Sequence, residues 1–231
     1  MALCHDVTDD LQEPVPFGPQ GRYQTYTEMI EAMDLRVGRI VNALERLGMR
    51  ERTVILFTGD NGTSKSYIHS AQDGQMIRRP VYSKIDGRSV RGGKGELTNA
   101  GTNVPLIASW QGTIARGQVI DDLVDFSDFL PTLADLAQAK LPAGFRTDGQ
   151  SFASRIRGES ASSRQGAFSE HRGKSWVRTQ RWKLYDGGRL FDLANDPEEK
   201  TVVSTVKELP MAKVARKKLQ RALASLTGKV P

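Results

Sequence analysis

The sequence has one cysteine, three histidines and no long apolar segment. A single cysteine excludes an internal disulfide. Its longest apolar runs are far shorter than the roughly 20 residues that a membrane-spanning helix needs, so we expect no membrane span. A nucleotide-binding P-loop is also excluded, because Lys94 is followed by Gly95 and not by the serine or threonine which that motif requires.

What is present is typical of a globular chain with a sizeable core: 38% hydrophobic and 26% charged residues. The formal net charge of +6 favours anionic ligands, although a solvated basic surface has the same composition. The basic residues near the C-terminus alternate with apolar ones. We interpret them as the solvated face of an amphipathic helix and predict no nucleic-acid partner.

Local patterns predict an α/β chain in two parts. Apolar residues recur at helical spacing from Tyr26 to Leu47, and Gly48 is a stop signal. A further helix is expected to begin at Ser127 or Asp128. Beyond Gly149 the pattern changes to short antiparallel strands at 167–170, 175–179, 182–185 and 190–193, followed by a helix at about 209–226. We therefore predict a division into residues 1–150 and 151–231.

A candidate metal site follows the apolar run at residues 54–57. Four apolar residues without alternation predict a strand covered on both faces, as in a parallel sheet, and ligands bind at the carboxyl ends of such strands. Asp60 and Asn61 lie at that end. Their oxygen atoms suit calcium or magnesium better than zinc, although Asp-Asn-Gly is also a common turn.

A second glycine-rich segment surrounds Lys94. Gly92, Gly93 and Gly95 allow the backbone to approach a ligand closely, and the lysine ammonium is a compact cation suited to a tetrahedral oxyanion. The polar segment 63–91 before it is predicted to be a long loop above the strand ends, where substrate contacts are common.

Taken together, these motifs resemble the sulfatase family, the formylglycine-dependent sulfuric ester hydrolases of the alkaline phosphatase superfamily. The family's motifs occur here in the family's order: Thr58-Gly59-Asp60-Asn61-Gly62, Gly92-Gly93-Lys94-Gly95, Gly101-Thr102-Asn103-Val104-Pro105, Asp128-Phe129-Leu130-Pro131-Thr132-Leu133, Trp182-Lys183-Leu184 and Leu190-Phe191-Asp192-Leu193. The resemblance extends over nearly the whole chain but only over the second half of a typical member.

The resemblance implies the fold and the roles of four residues. The fold is part of an alkaline-phosphatase-like mixed sheet flanked by helices, with a small C-terminal antiparallel sheet and a packing helix. Asp60 and Asn61 correspond to two ligands of the family's calcium ion (Ca2+), and Lys94 to the lysine that contacts the sulfate. His5 takes the place of the histidine that contacts the sulfate ester.

Two parts of the family's active site are missing from the sequence. The formylglycine precursor, a cysteine in Cys-x-Pro/Ala-x-Arg, is absent, since Cys4 is followed by His5-Asp6-Val7. The early pair of aspartates that completes the calcium site is absent as well. We therefore expect the C-terminal portion of a sulfatase, inactive in isolation. A phosphate ester hydrolase of the same superfamily and a non-catalytic sulfatase-like binding protein are the alternatives.

The resemblance leaves the sulfate ester open. A sulfated small molecule and a sulfated polysaccharide are both expected partners, and the oligomeric state is undetermined. Family members are usually exported, which implies a periplasmic or extracellular setting, whereas the segment that begins at Met1 has no pattern of a signal peptide.

Overall fold

The structure is a computed structural model that describes residues 26–72, 75–85, 87–159 and 164–228. The chain divides into two compact units, residues 1–111 and 112–231. The predicted boundary between residues 150 and 151 is a different division and stays a prediction. In the described ranges, no helix is long and apolar enough to cross a membrane.

The first unit consists of a long helix, a strand pair, two hairpins and a short helix. Its elements in chain order are α1 (Tyr26–Arg46), β1 (Ile55–Thr58), β2 (Ser66–Gln72), β3 (Gln75–Pro80), β4 (Tyr82–Ile85), β5 (Arg88–Arg91), α2 (Asn99–Thr102) and β6 (Leu106–Ser109).

The second unit consists of two short helices, an antiparallel sheet and a C-terminal helix. Its elements in chain order are α3 (Phe129–Leu136), α4 (Ala153–Ile156), β7 (Ala167–His171), β8 (Lys174–Arg178), β9 (Trp182–Tyr185), β10 (Leu190–Asp192) and α5 (Pro210–Thr227).

Helix α1 confirms the helix predicted from apolar spacing. Met29 and Ala32, three residues apart on one face, are buried. The helix ends at Arg46, and Gly48 follows with φ of +63°, a conformation that a side chain would strain. The glycine therefore fixes the end of α1 ahead of the strand that carries the candidate site.

Strand β1 pairs with β6 in an antiparallel register, Ile55 opposite Ser109 and Thr58 opposite Leu106. The prediction of a parallel neighbour is wrong for this pair. A continuous apolar run is typical of parallel strands that are covered on both faces, but it does not determine the direction of one particular partner. All four β1 residues are only half-buried, so the coverage within the described residues is also incomplete.

Residues 63–91, predicted as a loop, contain two antiparallel hairpins. Strands β2 and β3 form the first, and β4 and β5 form the second, in which Tyr82 lies opposite Arg91. Apolar and polar residues do not alternate between the faces of these strands, because Ile77 and Ile85 are exposed beside basic residues such as Arg78 and Lys84, so the pattern does not indicate strands.

The second unit is organised around a four-stranded antiparallel sheet with the order β10-β9-β8-β7. Helix α5 packs against it, which confirms the predicted meander and packing helix. The buried core residues come from three of the strands and from α5, and they are Val177, Leu184, Leu190, Ala212, Leu219 and Leu223. These contacts place the apolar seam of the basic helix against the sheet, as predicted.

Asp128 is a buried residue of this unit that contacts several segments, and its carboxylate is 1% exposed. It accepts hydrogen bonds from the backbone N–H of Asp125 at 2.8 Å and of Gln150 at 2.7 Å, and it forms an ion pair with Arg164. Thr132 forms a neighbouring contact, because its hydroxyl accepts a hydrogen bond from the backbone N–H of Phe152 at 3.0 Å. The Asp128 side chain therefore connects three separate segments of the chain.

The start of α3 agrees with the prediction in position, since Asp128 is its N-cap residue, although the Asp128 side chain forms no capping hydrogen bond there. Asp125 caps the 3-10 turn that directly precedes α3, and its carboxylate accepts from the Ser127 N–H at 3.0 Å. Asp128 is the third residue of the same capping box. The Asp-x-Ser-Asp sequence offers three capping side chains, so sequence alone does not select among them.

A buried ion pair joins β9 to the turn after β10. Lys183 Nζ lies 2.9 Å from Glu199 Oε1, and the two side chains are 0% and 2% exposed. The ammonium also lies 4.6 Å from the centre of the Trp176 ring, while the hydroxyl of Tyr185 donates to Glu199. Burial lowers the pKa of Lys183 to about 8, against the opposing effect of Glu199.

Removing one partner of this ion pair should destabilise the protein, whereas replacing both partners with apolar residues should change the stability little. We expect Lys183→Met to lower the free energy of unfolding by about 3–5 kcal/mol, because Glu199 is left buried without its cation. The double variant Lys183→Met/Glu199→Leu should recover most of that loss. Urea unfolding of the wild type, Lys183→Met, Glu199→Leu and the double variant measures the coupling, and a loss in the double variant equal to the sum of the two single losses would contradict it.

The same lysine should make stability depend on alkaline pH. Its native pKa of about 8 lies below the ordinary value of 10.5, so the unfolded chain binds more protons between these two values. The contribution of Lys183 to the free energy of unfolding should therefore rise with pH in that window. Urea unfolding at three pH values from about 7.5 to 9.5 should show a steeper rise for the wild type than for the double variant. If the stability of the two proteins changed in parallel with pH, the titration of Lys183 would make no contribution to stability in this window.

Candidate functional site

The predicted metal residues lie directly after β1. Strand β1 ends at Thr58, and the chain continues through Gly59 to Asp60, which is exposed, and Asn61, which is half-buried. The exit passes close to Val104, since a Cβ atom added at Gly59 would lie 3.6 Å from the Val104 side chain, an ordinary van der Waals distance. The exit therefore presents a carboxylate and an amide side by side at the end of the strand.

The Lys94 loop lies against this exit. The backbone N–H of Lys94 donates to the carbonyl of Thr63 at 3.0 Å, two residues after Asn61. Gly93 is buried, while the Lys94 side chain is exposed. The structure thus brings together two elements that are more than thirty residues apart in sequence.

Glycines make this close approach possible, because the two segments meet backbone to backbone. Gly62 donates to the carbonyl of Gly101 at 2.8 Å, and a Cβ atom on Gly62 would lie 2.0 Å from the Ala100 carbonyl oxygen. A Cβ atom on Gly101 would lie 2.1 Å from the Glu96 oxygen, and one on Gly93 would lie 2.7 Å from Ala100. We call this set of contacts among Gly62, Gly93 and Gly101 the glycine junction.

Sequence reasoning missed this function of Gly62 and Gly101. It assigned the glycines around Lys94 to ligand approach, whereas Gly93 is buried against Ala100. The available signal is that Gly62 directly follows Asp60-Asn61, a pattern that is also typical of a turn.

One ion pair spans the two segments at the surface. Lys65 Nζ lies 2.7 Å from Glu96 Oε1, and both side chains are nearly half exposed. The hydrogen bond from Lys65 lowers the pKa of Glu96, and a hydrogen bond from Thr98 acts in the same direction. Solvent screens an ion pair this exposed, so the backbone contacts, and not this pair, determine the position of the loop.

The candidate ligands are available for binding. Among the described residues, Asp60 and Lys94 form no ion pair or hydrogen bond through their side chains, and both are exposed. A carboxylate beside an amide oxygen fits part of a calcium coordination shell, which usually has six to eight oxygen ligands. In the described part of the chain, no group of three His, Cys, Asp or Glu residues is placed to hold a metal ion.

His5 lies outside the described residues, as does Cys4. The expected contact of His5 with the sulfate ester therefore stays a prediction. The site that the structure describes consists of Asp60, Asn61 and Lys94, held together by the glycine junction.

Two models of known protein families match this chain. The sulfatase family model matches residues 4–139, more than half of the chain. The C-terminal N-sulphoglucosamine sulphohydrolase model matches residues 94–229.

Two curated relatives and one solved structure illustrate the similarity. Steryl-sulfatase of Mus musculus is 30% identical over 79% of this chain and 28% of its own length. Arylsulfatase A of Homo sapiens is 31% identical over 85% of this chain and 42% of its own length. A structure from work on the metabolism of multiple glycosaminoglycans by Bacteroides thetaiotaomicron has a TM-score of 0.67 and 21% identity, with 95% of this chain and 48% of that chain covered.

These matches establish both the fold and the family of the chain. The fold is the alkaline-phosphatase-like α/β fold, as predicted. The chain belongs to the sulfatase family. It spans less than half the length of the two curated relatives.

The glycine junction can be tested by adding single methyl groups. Gly101→Ala should lower the free energy of unfolding by about 1–3 kcal/mol, because its Cβ atom meets backbone that has no room to move. Gly38→Ala is the matched control: a Cβ atom on Gly38 in α1 meets nothing within 4 Å, so the variant should gain about 0.5–1 kcal/mol. Thermal or urea unfolding measures both, and equal effects would argue against the junction.

Proposed function

We propose that this chain forms part of the active site of a calcium-dependent sulfuric ester hydrolase. The observation that carries the proposal is the hydrogen bond from the Lys94 N–H to the Thr63 carbonyl, which brings the Asp60-Asn61 exit and the lysine loop together in a member of the sulfatase family. A cation and two oxygen ligands beside each other fit a sulfate monoester at a metal site.

Each residue has a distinct task in this proposal. Lys94 binds the sulfate oxygens through its ammonium group, which stays available because it is exposed and lacks an anionic partner among the described residues. Asp60 and Asn61 hold calcium, which when bound offsets negative charge on the sulfate group. His5 contacts the ester and donates a proton to the leaving oxygen.

In this proposal the nucleophile comes from outside these 231 residues. No Cys-x-Pro/Ala-x-Arg sequence is present, and Cys4 lies in a different sequence context. We therefore propose that the formylglycine and the remaining calcium ligands belong to a separate segment, and that the isolated chain does not hydrolyse an aryl sulfate.

The substrate is proposed to be a sulfated small molecule or a sulfated saccharide. The two curated relatives are named for steryl and aryl sulfates, and the solved structure comes from work on glycosaminoglycans. All three kinds of compound carry the sulfate group that the proposed site binds.

Calcium binding and turnover test the proposal together. We expect the isolated chain to bind calcium with a Kd on the order of millimolar or weaker, since two ligands fill only part of the shell. When the chain is joined to a formylglycine-bearing segment, Asp60→Asn should weaken calcium binding by roughly tenfold or more, and Asn61→Ala by less, because only the first removes a charge. Lys94→Ala should abolish hydrolysis of the aryl sulfate.

The control is Asp34→Asn, which removes the same charge from an exposed position on α1. Calorimetric calcium titration and aryl sulfate turnover should be unchanged in this variant. Multiple turnover by the isolated chain, or equal calcium affinity in the wild type and Asp60→Asn, would refute the proposal.

A further inference from the structure

The β4–β5 hairpin has two different faces. Residues directly opposite each other in an antiparallel pair project to the same side, and alternate residues project to opposite sides. Tyr82 and Arg91 are opposite each other, and Lys84, two residues from Tyr82, lies on their side. All three are exposed, whereas on the other side Ser83 and Val90 are half-buried and Ile85 and Arg88, nearer the turn, are exposed. We call the side formed by Tyr82, Lys84 and Arg91 the outer face.

The base of the hairpin is fixed to the candidate site. Gly92 donates to the Val81 carbonyl at 2.9 Å, and Val81, only 5% exposed, donates to the Lys65 carbonyl at 3.2 Å. The hydroxyl of Ser83 lies 3.3 Å from that of Thr63. These contacts attach the hairpin to the segment that follows Asp60 and Asn61, so the outer face keeps a constant position relative to that segment.

The outer face is next to Lys94 along the chain. Only Gly92 and Gly93 separate Arg91 from Lys94, so three Cα–Cα steps limit the distance between their Cα atoms to about 11 Å at full extension. Two linked sugar rings extend over a distance of this size. A ligand whose sulfate is held by Lys94 therefore has neighbouring units within reach of Arg91.

The chemistry of the outer face selects a polyanion that has rings. Residues 77–96 contain six basic and two acidic residues, and one of the acidic residues, Glu96, has an electrostatic interaction with Arg91. Among the described residues, neither Lys84 nor Arg91 lies within ion-pair distance of a carboxylate. Tyr82 is 57% exposed, and its ring offers a flat apolar surface beside those cations. Arginine and lysine bind anionic oxygens by charge-assisted hydrogen bonds.

We infer that the outer face binds a sulfated oligosaccharide, with a sugar ring against Tyr82 and a second sulfate at Lys84 and Arg91, while the scissile sulfate occupies the site at Lys94. The inference rests on the proposed function for the position of the scissile sulfate. One aromatic ring between two separate cations fits a sulfated sugar better than a nucleic acid, because a backbone of regularly spaced phosphates is matched by a row of cations. The outer face thus selects substrates with more than one sulfated unit.

Binding of a heparin-derived tetrasaccharide to the 231-residue chain tests this inference. We expect Tyr82→Ala and Arg91→Gln each to raise the Kd at least fivefold, and Tyr82→Phe to retain wild-type affinity because the ring remains. Arg39→Gln, the same change at an exposed position on α1, should leave the Kd within twofold. NMR-detected titration gives the Kd values, and unchanged melting temperatures show that the variants are folded.

The possible outcomes are distinguishable. A Kd unchanged in both Tyr82→Ala and Arg91→Gln overturns the inference, as does an equal loss in Arg39→Gln or equal binding of a desulfated tetrasaccharide. Equal competition by DNA of matched charge would show a non-specific polyanion surface and would also overturn it. If the hairpin variants weaken binding but Lys94→Ala does not, the outer face is a saccharide site and the proposed function of Lys94 fails by itself.

Discussion

The candidate site depends on contacts between two backbones that are far apart in sequence. The exit from β1 and the segment 92–101 approach each other so closely that a side chain at Gly62 or Gly101 has no space. Hydrogen bonds between backbone atoms then fix the register, with Gly62 against Gly101 and Lys94 against Thr63. The relative position of the metal element and the lysine loop therefore follows from main-chain geometry, which is less mobile than side chains.

The second unit depends on buried charge. Asp128 connects the start of α3 to Gln150 and Arg164, and the pair of Lys183 and Glu199 connects β9 to the turn after β10. Both arrangements pair a buried carboxylate with a cation and satisfy it with further hydrogen bonds. Buried ions need such partners, and the need for complementary partners restricts the number of ways in which these segments can pack.

Much of the fold was predictable from local sequence. Helix α1 follows from apolar spacing and a terminal glycine, and the strands of the second unit follow from short runs between turn residues. Local patterns of this kind depend on neighbours within a few residues. The family was also predictable, because the motifs around Asp60 and Lys94 occur in a characteristic order.

Other features were not predictable, because they depend on partners that are distant in sequence. The antiparallel direction of β6 beside β1 cannot be derived from the apolar run in β1. The burial of Lys183 could not be foreseen either, since a lysine between Trp182 and Leu184 in a strand is usually solvated at its end. The close approach of Gly62 to Gly101 requires knowledge of both segments at once. The roles of His5 and of calcium stay predictions.

The glycine junction also separates the placement of the candidate site from the side chains around it. Its contacts use main-chain atoms, so they do not depend on which side chains the β4–β5 hairpin carries. Substitutions at positions such as 82, 84 and 91 are therefore expected to leave the register between the β1 exit and the Lys94 loop in place, whereas a side chain at Gly62 or Gly101 has no space. The surface of the hairpin can thus be redesigned while the backbone framework that carries Asp60, Asn61 and Lys94 is kept.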